Sequence, residues 1–297
     1  MSFGVIVKET RPQFLILTPV CCLVGLGSAA YVLKGAVPWG YLALVLVGAL
    51  FSHVAVNVLN DYFDYRSGLD LMTHRTPFSG GSGILPAGLM SPKGVLTLGV
   101  VSLAVVVAVG AYFLKVWGWR ILPLGLLGIA VVVLYTPYIT RNPILCLLAP
   151  GLGFGPLMVM GTHFALTGQY HLVAFWASLV PGLLVSNLLL INQFPDVEAD
   201  KAVGRHHLPI VMGRKKASYV YAALALAAFA WVVVAVAADL LPLGGLLALL
   251  PLPMALGTIK GVMEKAEDLE GLVPYLGKNV LYTLFVPALL GVGLLLS

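Results

Sequence analysis

Residues 41–70 read YLALVLVGALFSHVAVNVLNDYFDYRSGLD. A bilayer-spanning helix needs about 20 apolar residues, and the run from about 40 to 60 meets that length. The run then ends abruptly in amides and acids. Asn57, Asn60, Asp61 and Asp64 fall at i, i+3, i+4 and i+7, which in a helix places them on one face. An apolar helix finishing in a polar face has its body in lipid and its end at a chemical site.

The rest of the chain supports the membrane reading. Of 297 residues, 60% are hydrophobic and 10% are charged, whereas soluble domains carry about 25% charged residues. Mean hydropathy is +1.00. Long unbroken apolar runs exclude a transmembrane β-barrel, whose segments are short and alternating. The expected fold is all-α, a polytopic bundle of about nine membrane helices forming one domain over 1–297. The spans fall near 14–33, 40–60, 95–115, 119–138, 144–164, 172–193, 217–238, 242–260 and 275–296. Pro137, Pro143, Pro150 and Pro156 interrupt the fourth and fifth. The run from Phe14 to Leu33 is too long for a signal-peptide core and reads as the first span.

Net charge is +5. The basic residues lie in short loops between apolar runs, a pattern set by membrane topology and anionic lipid rather than by nucleic acid. With a cytoplasmic N-terminus and nine spans, 14 Lys and Arg face the cytoplasm and 3 (Lys34, Lys115, Arg120) face outward. Cys21, Cys22 and Cys146 all sit in apolar runs without metal-ligand spacing, so no disulfide or zinc site is expected.

Two polar loops stand out as caps, about 61–94 and 194–214. Both follow a span, and the topology puts both on the cytoplasmic face. The first carries Ser79-Gly80-Gly81-Ser82-Gly83, a flexible segment. The second opens with Asn192-Gln-Phe-Pro-Asp196-Val-Glu198-Ala-Asp200-Lys201, with Asn192, Asp196 and Asp200 at i, i+4 and i+8. Of 12 acidic residues, six lie in the two clusters: Asp61, Asp64, Asp70, Asp196, Glu198 and Asp200. Grouped carboxylates beside a membrane are costly. A solvated rim paired with Arg and Lys explains either cluster alone. Repetition of Asn-x-x-x-Asp at two helix ends favours a shared multivalent cation, and all-oxygen donors suit Mg²⁺, Mn²⁺ or Ca²⁺ rather than zinc. Arg66, Lys201 and Arg205 beside them complete a set suited to clamping a diphosphate.

Asn60-Asp61-x-x-Asp64 with Asp70, paired with Asn192-x-x-x-Asp196-x-x-x-Asp200, resembles the two Asp-rich motifs of the UbiA superfamily of intramembrane prenyltransferases. Asn57-x-x-Asn60-Asp61-Tyr62-Phe63-Asp64-Tyr65-x-x-Gly68-x-Asp70, Gly155-Pro156-Leu157-x-Val159-x-Gly161-Thr162 and Arg11-Pro12 are similar to its MenA-like branch, which prenylates 1,4-dihydroxy-2-naphthoate in menaquinone biosynthesis. The stretches 75–86 and 140–151 and the segment Arg205-His206-His207-Leu208-Pro209 depart from that branch.

The resemblance implies a cell-membrane enzyme that transfers a polyprenyl group from an allylic polyprenyl diphosphate to an aromatic acceptor. It implies two Mg²⁺ ions held among Asn60, Asp61, Asp64, Asp70, Asn192, Asp196 and Asp200. Asn57, Asn60, Arg11, Arg66, Arg141, Lys201 and Arg205 are the expected substrate contacts, and Asp64, Asp196 and Tyr135 the expected catalytic residues. Tyr62, Tyr65, Tyr135 and Tyr138 are candidates to shield an allylic cation. 4-Hydroxybenzoate, other phenols and lipid alcohols are alternative acceptors. A cation-coupled transporter is a competing class, although transporter sites favour the bilayer midplane; a non-enzymatic scaffold would not need two carboxylate clusters. His53, one turn before Asn57, His163 and Asn187 read first as packing or hydrogen-bonding residues within spans. The cluster from Glu264 to Glu270 reads as a solvated loop face.

Overall fold

The computed structural model describes residues 2–73, 75 and 79–297, so residues 74 and 76–78 of the first cap loop lie outside the described residues. A short helix α1 (Phe3–Glu9) leads into α2 (Pro12–Leu33), α3 (Trp39–Ser67), the single turn α4 (Leu69–Met72) and α5 (Pro92–Trp117). Then come α6 (Trp119–Leu134), α7 (Pro143–Thr167) and α8 (Leu172–Asn192), followed by the short α9 (Val197–Ala202) and α10 (Leu208–Met212). The chain ends in α11 (Arg214–Ala237), α12 (Leu252–Lys265) and α13 (Leu269–Leu295). A 3-10 helix, Leu243–Leu249, precedes α12 at an angle of 40°.

Among the described residues, seven helices are long and apolar enough to cross a membrane, or eight if the bent pair ending in α12 is one span. The one expected span that falls short is the fourth, 119–138, which is the shorter apolar α6. Pro150 and Pro156 do not break α7. The chain passes Pro156 through one π-helical stretch, Gly153–Leu157, which absorbs the missing N–H. Lipid gives helices no hydrophobic reason to associate, so small residues bring them together. A Cβ on Gly155 would lie 2.6 Å from the Cα of Gly182, fixing α7 against α8, and one on Gly27 would lie 2.4 Å from the Gly291 carbonyl, fixing α2 against α13.

The largest buried apolar cluster lies between α8, α11 and α13, around Leu184, Phe229, Val232 and Val286. Asn187 donates to the Tyr282 hydroxyl there (3.3 Å), and Tyr221 joins Tyr282 (2.8 Å) and Asn279 (2.9 Å), a polar network that crosses from α8 and α11 to α13. The other half is looser. Helix α6 has no buried residue, and between it and α2, α3, α5 and α7 lies a largely apolar cavity of about 380 Å³.

Candidate active site

The site sits where α3 and α8 end. Helix α3 runs unbroken through the first cluster to Ser67, so Asn57, Asn60, Asp61 and Asp64 share a helix as their spacing requires. Gly68, at φ 83°, then takes the left-handed conformation that ends a helix without a Cβ clash. That turn carries the buried Asp70 back beside its own helix on α4.

The second cluster is built differently from its spacing. Asn192, Asp196 and Asp200 do not share one helix: α8 ends at Asn192, a turn follows through Pro195, and α9 starts after Asp196. Proline offers no N–H and disfavours helix at the residue before it. The break splits the motif. Asp196 accepts a hydrogen bond from the Ser79 hydroxyl of the other cap loop (3.3 Å), while Asp200 is carried inward and buried.

Arginine joins the two clusters. Arg205 donates through Nη1 to Asp200 (2.8 Å) and pairs through Nη2 with Asp64. His207 Nε2 contacts the other Asp200 oxygen at 2.8 Å, and the His206 amide donates to the Thr140 carbonyl (3.1 Å). Arg11 pairs with Asp61 and donates to Asn60 Oδ1 (3.3 Å). Its own backbone is left-handed, φ 54°, an uncommon state for a non-glycine residue, at the kink between α1 and α2. Asn60 Nδ2 donates to Asp64 (2.9 Å) and to Thr136 (3.1 Å), and Asn57 Nδ2 to the Thr10 carbonyl (3.1 Å).

The first cap loop folds onto this cluster. The Ser82 amide donates to Asp61 (2.9 Å) and its hydroxyl to Glu9 (2.7 Å). Gly81 lies so close that a Cβ would sit 3.1 Å from Asp70 Oδ1 and 3.3 Å from Asp61 Oδ1.

The electrostatics are those of too many buried acids. Burial, with the charge of Asp64 added, pushes the Asp70 carboxyl up to about 7. Burial, with Asp200 added, pushes Asp196 up to about 7. Burial also raises Glu9, partly offset by Ser82 and Arg11. Burial alone would lower the Arg205 guanidinium, but Asp64 and Asp200 hold it above its ordinary range. The cluster favours added positive charge.

The donor set fits a hard cation. The side chains of Asn60, Asp61, Asp64, Asp70, Asn192, Asp196 and Asp200 offer oxygen ligands, Asn192 Oδ1 is buried without a hydrogen-bond partner, and Gly81 leaves the space between Asp61 and Asp70 clear. Among the described residues no three acidic, His or Cys side chains stand together at metal-ligand spacing. Arg11 and Arg205 occupy the positions between the carboxylates instead.

The other expected residues divide. Arg11, Asn57, Asn60, Tyr135 and Asn192 line the mouth of the cavity. Arg66 is exposed and lies over the Tyr62 ring at 5.9 Å, away from the carboxylates. Lys201, Arg141 and Tyr138 are exposed. Of the four tyrosines proposed to shield a cation, only Tyr135 lines the cavity; Phe14, Phe113 and Phe154 also line it. Sequence reasoning missed Glu9, Ser82, Thr136 and His207. His207 gave no helical signal, because the chain leaves α9 after Ala202 and turns back before α10; the partners from α1 and the cap loop left no local signal either.

Below its polar mouth the cavity is apolar. Gly110, Gly125, Gly128 and Gly153 line it, and a Cβ on any of them would meet nothing within 4 Å. These glycines are therefore not there to bring helices together; they leave room.

Residues 18–270 match the UbiA prenyltransferase family. Over its whole length the chain is 29% identical to 1,4-dihydroxy-2-naphthoate octaprenyltransferase of Bacillus subtilis (strain 168), covering 94% of it. It is 26% identical to digeranylgeranylglyceryl phosphate synthase of Thermococcus kodakarensis, with 91% of this chain and 90% of that one covered. The fold superposes on a UbiA homologue from Archaeoglobus fulgidus bound to GPP and Mg²⁺ with a TM-score of 0.63 at 13% identity, covering 96% of this chain and 99% of that one. The chain is thus a multi-pass membrane prenyltransferase, and it belongs to the UbiA prenyltransferase family.

Proposed function

We propose that this enzyme transfers a polyprenyl group from its diphosphate to 1,4-dihydroxy-2-naphthoate, with two Mg²⁺ ions, at the cytoplasmic face of a cell membrane. The observation that carries the reading is Arg205, which ties Asp64 of the first motif to Asp200 of the second, with Asn60, bonded to Asp64, lining the mouth of an apolar cavity. The full-length similarity to a dihydroxynaphthoate octaprenyltransferase supports the acceptor. Similarity to a glyceryl phosphate synthase makes a lipid alcohol the second candidate. The 14-to-3 basic bias supports the orientation. The whole chain acts as one membrane domain, with 61–94 and 194–214 as its caps.

Asn60, Asp61, Asp64, Asp70, Asn192, Asp196 and Asp200 would hold the ions, which supply charge neutralisation to the departing diphosphate. The chain's own groups do the rest. Arg11 and Arg205 are planar, multidentate donors suited to phosphate oxygens, and the carboxylates that hold them fix their aim. Ser79 and Ser82 draw the first cap loop over the carboxylates, shielding the reacting carbon from water. Asn57 and Asn60 line the mouth beside the substrate's polar end. The Tyr135 ring offers its face to positive charge on the allylic carbon. The apolar cavity below accepts the isoprenoid tail.

Purified enzyme in detergent or nanodiscs, given radiolabelled polyprenyl diphosphate and Mg²⁺, should prenylate 1,4-dihydroxy-2-naphthoate in preference to 4-hydroxybenzoate and geranylgeranylglyceryl phosphate. Preferred transfer to either of the others would reassign the acceptor. No transfer to any acceptor would overturn the proposal.

A further inference from the structure

One buried histidine has no part in the scheme above. His53 is 6% exposed and lines the cavity on α3, one turn deeper than Asn57 and two turns deeper than Asn60. At 1.5 Å of rise per residue it lies about 10 Å below Asn60 along the helix. That interval leaves room for an aromatic ring system between the diphosphate end and the imidazole.

The ring is held on two sides. Nδ1 meets the hydroxyl of the fully buried Thr18 at 2.8 Å. The ring packs edge-on against Phe154, with centroids 4.8 Å apart and planes at 75°. With Nδ1 engaged by α2 and the ring face set by α7, Nε2 is the nitrogen left for the cavity. A buried polar group without a partner is costly, and a bound ligand can supply one. The lining also includes Thr283 on α13, which is fully buried and whose hydroxyl has no partner. A polyprenyl tail is a hydrocarbon and uses neither. An aromatic acceptor bearing a hydroxyl group can partner Nε2.

We propose that His53 is the acceptor-binding residue of this prenyltransferase: Nε2 accepts the hydrogen bond of a ring hydroxyl, with Thr18 on Nδ1 fixing the tautomer. This rests on the functional reading above and deepens it.

The test is steady-state kinetics on His53→Leu, His53→Gln and Thr18→Val, using 1,4-dihydroxy-2-naphthoate and its two monomethyl ethers. His53→Leu should raise KM for the naphthoate about tenfold, the size of one lost hydrogen bond, while KM for the prenyl diphosphate changes less than twofold. Glutamine, which keeps a hydrogen-bonding group, should restore most of that KM. Thr18→Val keeps the imidazole but frees its ring, and should raise the same KM by less. With the ether that lacks the contacting hydroxyl, wild type and variants should agree. An unchanged acceptor KM, two KM values rising together, or a difference that survives in both ethers would overturn the inference. If the leucine variant does not fold, the glutamine and valine variants carry the same comparison. Transfer by the wild type with unchanged KM in the variants overturns this inference alone; absence of transfer by the wild type overturns the functional reading and this inference with it.

Discussion

Arg205 pairs with Asp64 across 141 positions of sequence, and the same guanidinium donates to Asp200 at 2.8 Å. One cation therefore locks the end of α3 to the loop after α8. Without it, the two buried carboxylates face each other with no cation between them, keeping only Asn60 and His207 as partners among the described residues. Losing one partner of a buried ion pair costs on the order of 3–5 kcal/mol. Arg205→Ala should therefore lower the melting temperature of the metal-free protein sharply, and Mg²⁺ should restore part of the loss. Differential scanning fluorimetry with and without Mg²⁺ measures both; a variant as stable as wild type would show that the pair is not structural.

Asp64→Ala and Asp196→Ala should each reduce kcat by about 10²–10³, the loss typical of one key electrostatic group. Groups that work as one unit are not additive when removed. The double variant should then be little slower than the poorer single variant. Strictly multiplicative losses in the same assay would separate the two motifs into independent sites.

Activity should vanish in EDTA and return with Mg²⁺ or Mn²⁺, since the donor set is oxygen only. Zinc should not substitute. A metal titration of single-turnover rates decides the point, and full activity in EDTA would remove the cation from the scheme.

The metal-free protein should also be destabilised by alkali in a definite window. Asp70 and Asp196 are both held near 7, well above the carboxyl's ordinary value of 3.8. The folded state therefore binds more protons than the unfolded state between about 4 and 7, and stability falls as pH rises through that range. In EDTA the melting temperature should be higher at pH 5 than at pH 8. Mg²⁺ should reverse the order, because it favours the ionised acids. A flat profile in EDTA would refute the buried, uncompensated state of the two acids.

Orientation is open to direct labelling. Cys21, Cys22 and Cys146 are buried, so a single cysteine introduced at an exposed position reports alone. Lys201→Cys should react with impermeant maleimide only from the cytoplasmic side, and Lys34→Cys only from the outside. The reverse pattern would invert the proposed topology.

The spans and the carboxylate clusters were legible in the sequence because hydropathy and spacing are local. The first cluster followed its i, i+3, i+4, i+7 pattern through a continuous α3. The second did not, because Pro195 turns the chain between Asn192 and Asp196, and a proline outweighs a four-residue periodicity. Arg66 sits next to the carboxylates in sequence but points to Tyr62, while Arg205, close to Asp200, reaches across to Asp64. Which arginine turns inward depends on how the loops pack, and single positions do not encode that. Glu9 shows the same limit. Nothing near it in sequence announces a partner, yet Ser82 finds it from the cap loop. The fourth expected span fell short at α6 because Gly118 and Tyr135 bound the helix at both ends.

The four glycines of the cavity wall bear on how such an enzyme can change. Most glycines in membrane helices are trapped by their neighbours: a methyl on Gly151 or Gly155 would strike Gly182. Gly110, Gly125, Gly128 and Gly153 are under no such constraint, and alanine there even gains helix propensity, about 0.8–1 kcal/mol for each residue in an ordinary helix. Each is a place where the bore can be trimmed by a single base change without moving a helix. The bundle and the binding volume are thus separately adjustable, and a descendant of this chain can take a slimmer or shorter lipid while keeping every contact that folds it.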